Sequence, residues 1–513
     1  MSLSQINNKR IAKNTMMLYV RTIFVLLISL YTSRVLLKEL GIEDYGIYQV
    51  IGGLVAMFSI ISNSLSTAIS RFITYEIGNG DKEKLKRIFA TSIIIQIFIS
   101  LIVLVIVEVI GLWFMHTEMQ IPDGRMYAAQ WVLHCTLITF LINLLSVPYN
   151  ACIIAHEHMK AFAYVSVVEA ILKLAICYLI SISSTDRLIT YSVLLTLTAI
   201  GIRIIYTVYC HHHFEETHTK ITFDEQVFKE MFGFAGWSFF SNSASVLNNQ
   251  GVNMLMNVFF GVTVNAARGI AYQVEHAILQ FVYNFTMAVN PQITKSYAAG
   301  DLKGMHTLVC RSAKFSFFAM LLMALPVFFE AKHILSIWLV EIPEFTVIFV
   351  QLSLILGICD CIGNSGFTAC MATGKLKLYA LVITTIGILE FPLTWLFFVL
   401  GAPVVSTYYT YIVVKISVLI ARMILLQQMV GLKTTIYIKQ VFVPIIKTSI
   451  IAVLPLWILV TFMNSSILRL ALSIVVSFSS VTLSSLFVGM SANERHTIIQ
   501  KVQNIISRFT NKN

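Results

Sequence analysis

Charge is scarce in this chain: Asp, Glu, Lys and Arg make up 12% of its 513 residues, about half the share of an ordinary soluble domain. That excludes a conventional water-soluble fold. Its 8 cysteines form no C-x-x-C pair, so neither a zinc ribbon nor a disulfide framework is indicated. They fall mostly in or beside apolar segments, where cysteine acts as a small packing residue. No G-x-x-x-x-G-K-[ST] run occurs, which excludes ATP hydrolysis by a P-loop. The histidine run His211, His212 and His213, with His218 nearby, lacks the carboxylates or cysteines that complete a recognisable ligand set, and no metal is expected. No cofactor is expected and no enzyme is expected. A membrane glycosyltransferase or polymerase needs a large polar loop with paired acidic residues. The longest candidate loop on the less basic side, about His116 to Ala129, is too short for one.

What the chain has in quantity is apolar length. Hydrophobic residues make up 57%, in runs that reach the length of about 20 residues needed to cross a bilayer. The pattern predicts an all-α polytopic membrane protein of about 14 transmembrane helices. These are placed near 15–37, 46–75, 88–115, 130–154, 162–182, 188–210, 231–258, 267–290, 312–338, 345–371, 378–400, 404–428, 441–462 and 467–489. The start, MSLSQINNKRIAKN, is polar and basic, so no cleavable signal peptide is expected. Lysine and arginine set the orientation. Of 36, 22 lie in or at the edge of the segments on the side of the N-terminus and 6 in or at the edge of those on the opposite side. Both termini are therefore expected in the cytoplasm. The same bias explains the net charge of +11 as orientation and contact with anionic membrane lipid, which removes any reason to expect nucleic acid.

A corner is written twice. RFITYEIGNGD (71–81) and PQITKSYAAGD (291–301) share Ile-Thr and Gly-Asp at an offset of 220, and Gly41 meets Gly261 at the same offset. GIYQV (46–50) is similar to GIAYQV (269–274). Glycine ends a helix in the left-handed conformation, and the aspartate after it can cap the next helix. The repeat predicts two six-helix lobes, residues 1–213 and 231–429, joined by a cytoplasmic linker at 214–230. Residues 430–513 then hold two extra helices and a tail. An even number of spans per half makes the lobes parallel repeats, with a transport path expected between them.

SRVLLKELGIEDYGIYQV (33–50) followed by STAISRFITYEIGNGDKEKLKRIF (66–89) resembles the opening of Wzx-type bacterial polysaccharide flippases. These are members of the multidrug/oligosaccharidyl-lipid/polysaccharide exporter superfamily. This sequence departs from the usual first corner by an extra "LKE" between Arg34 and Gly41. The resemblance implies two bundles opening alternately to each side of the bacterial inner membrane. The implied cargo is undecaprenyl pyrophosphate carrying an oligosaccharide repeat unit. A polysaccharide polymerase and a chain-length regulator are the implied protein partners. The lipid II flippase has fourteen spans and the multidrug/cation antiporters twelve, so the span count leans to the lipid-linked sugar branch. An ion-coupled antiporter is the alternative.

A diphosphate cargo calls for cations within the bilayer, where each costs about 3 kcal/mol or more at the centre. Arginine suits phosphate because its planar fork donates two hydrogen bonds at once. The candidates are Arg21, Arg34, Arg71, Lys173, Arg203, Arg268 and Lys415. Arg71, Arg422 and Lys447 lie close enough to a membrane surface to snorkel. Glu169, Glu275, Asp360 and Glu390 are the candidates for ion coupling or internal pairing. Glu169 and Lys173, four apart, are expected to meet on one helix face, and Asp360 could pair with Lys415. Asn242, Asn249 and Asn253 could either glue helices together or bind sugar hydroxyls.

Overall fold

Gly41 breaks the first long helix with φ 79° and ψ 175°. Gly261 breaks the chain at the equivalent place with φ 82° and ψ −178°. A side chain at either position would meet the penalty of the left-handed region, so glycine is required at both turns. The computed structural model describes residues 3–79, 81–156, 158–219, 222–373, 376–496 and 500. The second half of the repeated corner matches as well. Asp81 caps its helix by accepting from Lys84 N at 2.9 Å, and Asp301 does so from Gly304 N at 2.8 Å.

The described residues are mainly helical, with no strand among them. In chain order the helices are α1 (Leu3–Ala56), α2 (Ser59–Asn79), α3 (Lys82–Ile106), α4 (Leu112–Thr117), α5 (Met126–Ala155), α6 (Met159–Leu179) and α7 (Arg187–His213). Then come α8 (Glu225–Val246), α9 (Val252–Phe260), α10 (Val262–Ala298), α11 (Leu302–Phe329), α12 (Ala331–Trp338) and α13 (Thr346–Ala372). The last are α14 (Leu376–Ile388), α15 (Glu390–Val399), α16 (Ser406–Val430), α17 (Thr434–Tyr437), α18 (Val443–Phe462) and α19 (Ile467–Ser484).

Among the described residues ten helices are long and apolar enough to cross a membrane by length and composition, and eleven if a pair bent by 48°, Thr22–Ala56 with Ser59–Ser70, counts as one span. All fourteen expected segments fall on helix. Those at 231–258 and 267–290 coincide with α8–α9 and α10 but are not among the ten. Their polar content, including Asn248, Asn249, Gln250, Gln273, Glu275 and His276, explains why.

The chain divides into two units. Unit 1 comprises Met1–Gly269, Trp338–Glu344 and Phe391–Val404; unit 2 comprises Ile270–Ile337, Phe345–Glu390 and Val405–Asn513. In unit 1, α5 lies along α7, α1 along α6, and α2 along α8. One buried cluster gathers Ile47, Val50, Ile51, Val103, Val132 and Leu133. A second gathers Ile69, Ile73, Ile88, Phe89, Ile153 and Tyr206. Lipid is as apolar as these side chains, so close packing and polar links hold such helices rather than the hydrophobic effect. One link is Arg125 at the start of α5, which grips Asp44 through Nε and Nη2 (2.8 and 2.5 Å) and Asp186 through Nη1 (2.5 Å).

In unit 2, α11 packs on α13, α13 on α16, and α19 on both α18 and α11. The last two spans are tied to α11 by buried charge at each end. Glu330 accepts from Arg469 Nη2 and from Ser473 Oγ, both at 2.8 Å. Lys314 donates to Glu494 at 2.7 Å, and Arg311 reaches the same carboxylate at 3.1 Å.

Candidate functional site

Helix α5 carries Asn143, Ser146 and Asn150 at spacings of three and four, which places them on one face. That face meets α6, α7 and Tyr48 of α1 around a cavity of about 360 Å³ within unit 1. On α6, the four-residue spacing brings Lys173 Nζ to 2.7 Å from Glu169 Oε1. Both side chains line the cavity and stay half-exposed to it.

The third charge is Arg203 of α7. It stands about 24 Å along the axis from the Arg187 end of its helix and about 15 Å from the His213 end, too deep to snorkel easily. Its guanidinium carbon lies 4.1 Å above the Tyr149 ring, a cation–π contact. Tyr149 is itself fixed edge-on by Phe89, with ring centroids 5.3 Å apart. Arg203 Nη1 is buried with no hydrogen-bond partner among the described residues, and so is Asn150 Oδ1. The lining carries two cations, Lys173 and Arg203, against one carboxylate, Glu169. Such a chamber can accept a polar anion.

The other expected site residues are dispersed. Arg268 is buried and committed to its own unit, with Nη1 donating to Met256 Sδ at 3.3 Å and Nη2 to Asn249 O at 3.1 Å. Asn253 is also buried and donates to Gln49 O at 3.3 Å. Arg34 is exposed. The side chains of Arg21, Arg71 and Asn242 lie outside the described residues. In unit 2, Lys415 Nζ donates to both oxygens of Asp360, at 2.8 and 3.0 Å. Glu390 is buried and Glu275 half-buried, each with interactions of its own. Arg422 does not snorkel freely: its Nε donates to Tyr379 OH at 2.8 Å. Lys447 is exposed.

Sequence reasoning overlooked Asn143, Tyr149 and Asn150. Their signal was present as a polar stripe at helical spacing within an otherwise apolar span. The Glu330–Arg469 and Lys314–Glu494 pairs gave no such signal, because each joins residues far apart in the chain, 139 and 180 positions.

Outside the spans, the linker holds a third polar cluster. Glu216 is buried, which pushes its carboxyl up, but the hydrogen bond to His156 Nε2 at 2.7 Å and its own backbone bring it below the usual carboxylate value of 4.5. The His156 ring stacks on Phe214 with centroids 4.3 Å apart. Among the described residues no group of three or more His, Cys, Asp or Glu is arranged to hold a metal ion.

Residues 18–179 match the family model MatE. The uncharacterized membrane protein EpsK of Bacillus subtilis (strain 168) is 19% identical over 320 residues, 61% of this chain and 62% of that one, so the match spans less than two thirds of its length. Among solved structures, the lipid II flippase MurJ in an inward closed conformation is similar at TM-score 0.68 and 12% identity, over 91% of this chain and 97% of that chain. The MATE multidrug transporter DinF-BH is similar at TM-score 0.62 and 13% identity, over 82% and 96%. These likenesses show the fold alone, one shared with structures described as a lipid II flippase and as MATE family transporters of the MOP superfamily.

Proposed function

We propose that this chain is a flippase that moves an oligosaccharide linked to undecaprenyl pyrophosphate across the bacterial inner membrane by alternating access. The observation that carries the reading is the excess of cation over carboxylate in the unit 1 cavity, with Arg203 and Lys173 facing a polar wall deep between apolar helices. Ions so placed cost several kcal/mol, a cost that a phosphate-bearing cargo offsets by charge-assisted hydrogen bonds. The fold likeness to a protein described as a lipid II flippase supports a lipid-linked cargo. In this proposal the lobes are residues 1–213 and 231–429, the linker 214–230 and both termini are cytoplasmic, and a polymerase and a chain-length regulator act on the delivered units. No covalent step is involved.

A second reading, an ion-coupled multidrug or cation antiporter, draws on the likeness to a MATE multidrug transporter. It calls for an accessible, uncompensated carboxylate. Glu169 and Asp360 are each paired with a lysine, which favours the first reading.

The test is surface polysaccharide in the native host. Deleting the gene should abolish it and wild-type chain should restore it, while Arg203→Gln with Lys173→Gln at matched membrane levels should not. Full restoration by the double variant would end the proposal, and a deletion strain that loses only dye resistance would favour the antiporter.

A further inference from the structure

Two atoms in the unit 1 cavity have opposite hydrogen-bonding character, and each lacks a partner. Arg203 Nη1 is a buried donor and Asn150 Oδ1 a buried acceptor, with no hydrogen-bond partner among the described residues, and both side chains line the same chamber. Folded proteins leave few buried polar atoms unpaired, and each one calls for an explanation such as a bound group.

The two atoms ask for different things. A fully ionised phosphate ester without a sugar offers only acceptors and could satisfy Arg203 but not Asn150. A neutral sugar offers hydroxyl donors but nothing for the excess positive charge. A sugar carrying a phosphate offers both, side by side.

We propose that this chamber is a glycosyl-phosphate subsite, in which Arg203 and Lys173 take the phosphate and Asn150 accepts a hydrogen bond from a hydroxyl of the adjoining sugar. Tyr149 is a positioning residue. Its ring lies 4.1 Å from the guanidinium carbon and holds the flat face of Arg203, leaving the donor edge for the ligand. Glu169 balances Lys173 at 2.7 Å. The volume of about 360 Å³ lies at the lower end of the range, about 300–1,000 Å³, that encloses a small ligand. That suits one sugar and its phosphate, not a complete repeat unit. The inference rests on the proposed function for the view that the phosphate belongs to a lipid-linked cargo, whereas the subsite itself stands on the geometry.

The experiment uses full-length protein in nanodiscs at about pH 8, where phosphate monoesters are fully ionised, and three probes: glucose 1-phosphate, methyl phosphate and glucose, with affinities read by calorimetry. Glucose 1-phosphate should bind about tenfold more tightly than methyl phosphate, the effect of one added hydrogen bond, and glucose most weakly. Asn150→Leu should remove that advantage while leaving methyl phosphate within about twofold. Arg203→Gln should weaken both phosphates by about tenfold or more. Tyr149→Leu should weaken both and Tyr149→Phe neither, since the phenyl face is retained. Equal binding of the two phosphates, or Arg203→Gln without effect in protein of unchanged melting temperature, would overturn the subsite. A short-chain prenyl diphosphate glucose added as competitor separates the sources. Displacement of glucose 1-phosphate supports a lipid-linked cargo. Failure to displace it leaves the subsite supported for a soluble sugar phosphate and counts against the proposed function.

Discussion

Lys415 on α16 donates to both carboxylate oxygens of Asp360 on α13, at 2.8 and 3.0 Å. Glu390 and Glu275 also act on Lys415 electrostatically. The pair gives Asp360 a structural occupation that competes with any role as a free ion-coupling carboxylate. Removing Asp360 takes away the direct hydrogen bonds of Lys415. Asp360→Asn should therefore lower stability by about 1.5–3 kcal/mol, the value of hydrogen bonds to charged groups. The exchange Asp360→Lys with Lys415→Asp should recover much of it. Thermal unfolding in detergent reads the result. A single Asp360→Asn variant with unchanged melting temperature and lost transport would instead restore the coupling role.

The ion pair beneath the last two spans should matter more. Glu330 is fully buried and accepts from Arg469 and Ser473. Breaking a pair this deep costs about 3–5 kcal/mol. Glu330→Ala is expected to loosen α19 from α11, which limited proteolysis would detect as cleavage near residues 463–466. A Glu330→Ala protein as resistant as the wild type would show that apolar packing alone holds α19.

Two glycines on one helix limb give an internal control. A Cβ at Gly46 would stand 2.2 Å from Val262 O, a backbone atom, whereas a Cβ at Gly52 would meet nothing within 4 Å. Gly46→Ala should cost about 1–3 kcal/mol through overpacking. Gly52→Ala should be neutral or stabilising, because alanine is the better helix former. Melting temperatures measured side by side decide it, and equal values would mean that the close approach of α1 to the start of α10 is not held in solution.

Acid should loosen the linker. The carboxyl of Glu216 lies below its usual value of 4.5 in the folded chain, with burial opposing and His156 outweighing it. A lowered folded value contributes stability that is present above the unfolded value and lost as pH falls through the folded one. The loss should therefore begin near pH 4.5 and grow on further acidification. Glu216→Gln should flatten this part of the pH–stability curve, and a variant curve parallel to the wild type would remove Glu216 from the account.

How much of this was legible in the sequence depends on the range of each interaction. The paired turns at Gly41 and Gly261 were visible because a repeated backbone requirement leaves the same residue twice. The contact of Glu169 with Lys173 was visible because four residues on a helix fix their relation. Asp360 with Lys415 was one option among several, since choosing a partner 55 residues away needs the rotation of two helices about their axes. Arg268 read as a cargo cation, yet it spends its donors on Met256 and Asn249, which no local spacing announces. Asn150 was hidden in the opposite way. With Asn143 and Ser146 it forms a short polar stripe that reads as helix glue until its neighbours show that it faces a chamber.

The most direct test of the central claim is transport itself. Full-length protein would be reconstituted in liposomes with a fluorescently labelled undecaprenyl pyrophosphate oligosaccharide. The measurement is the rate at which inner-leaflet label becomes accessible to a membrane-impermeant quencher. The account predicts wild-type exchange well above protein-free vesicles, and a fall of about tenfold or more when Arg203→Gln and Lys173→Gln are combined, the effect of losing at least one charge-assisted contact. Exchange by the double variant at the wild-type rate, or wild-type vesicles that move a cationic dye and leave the lipid-linked sugar in place, would contradict it.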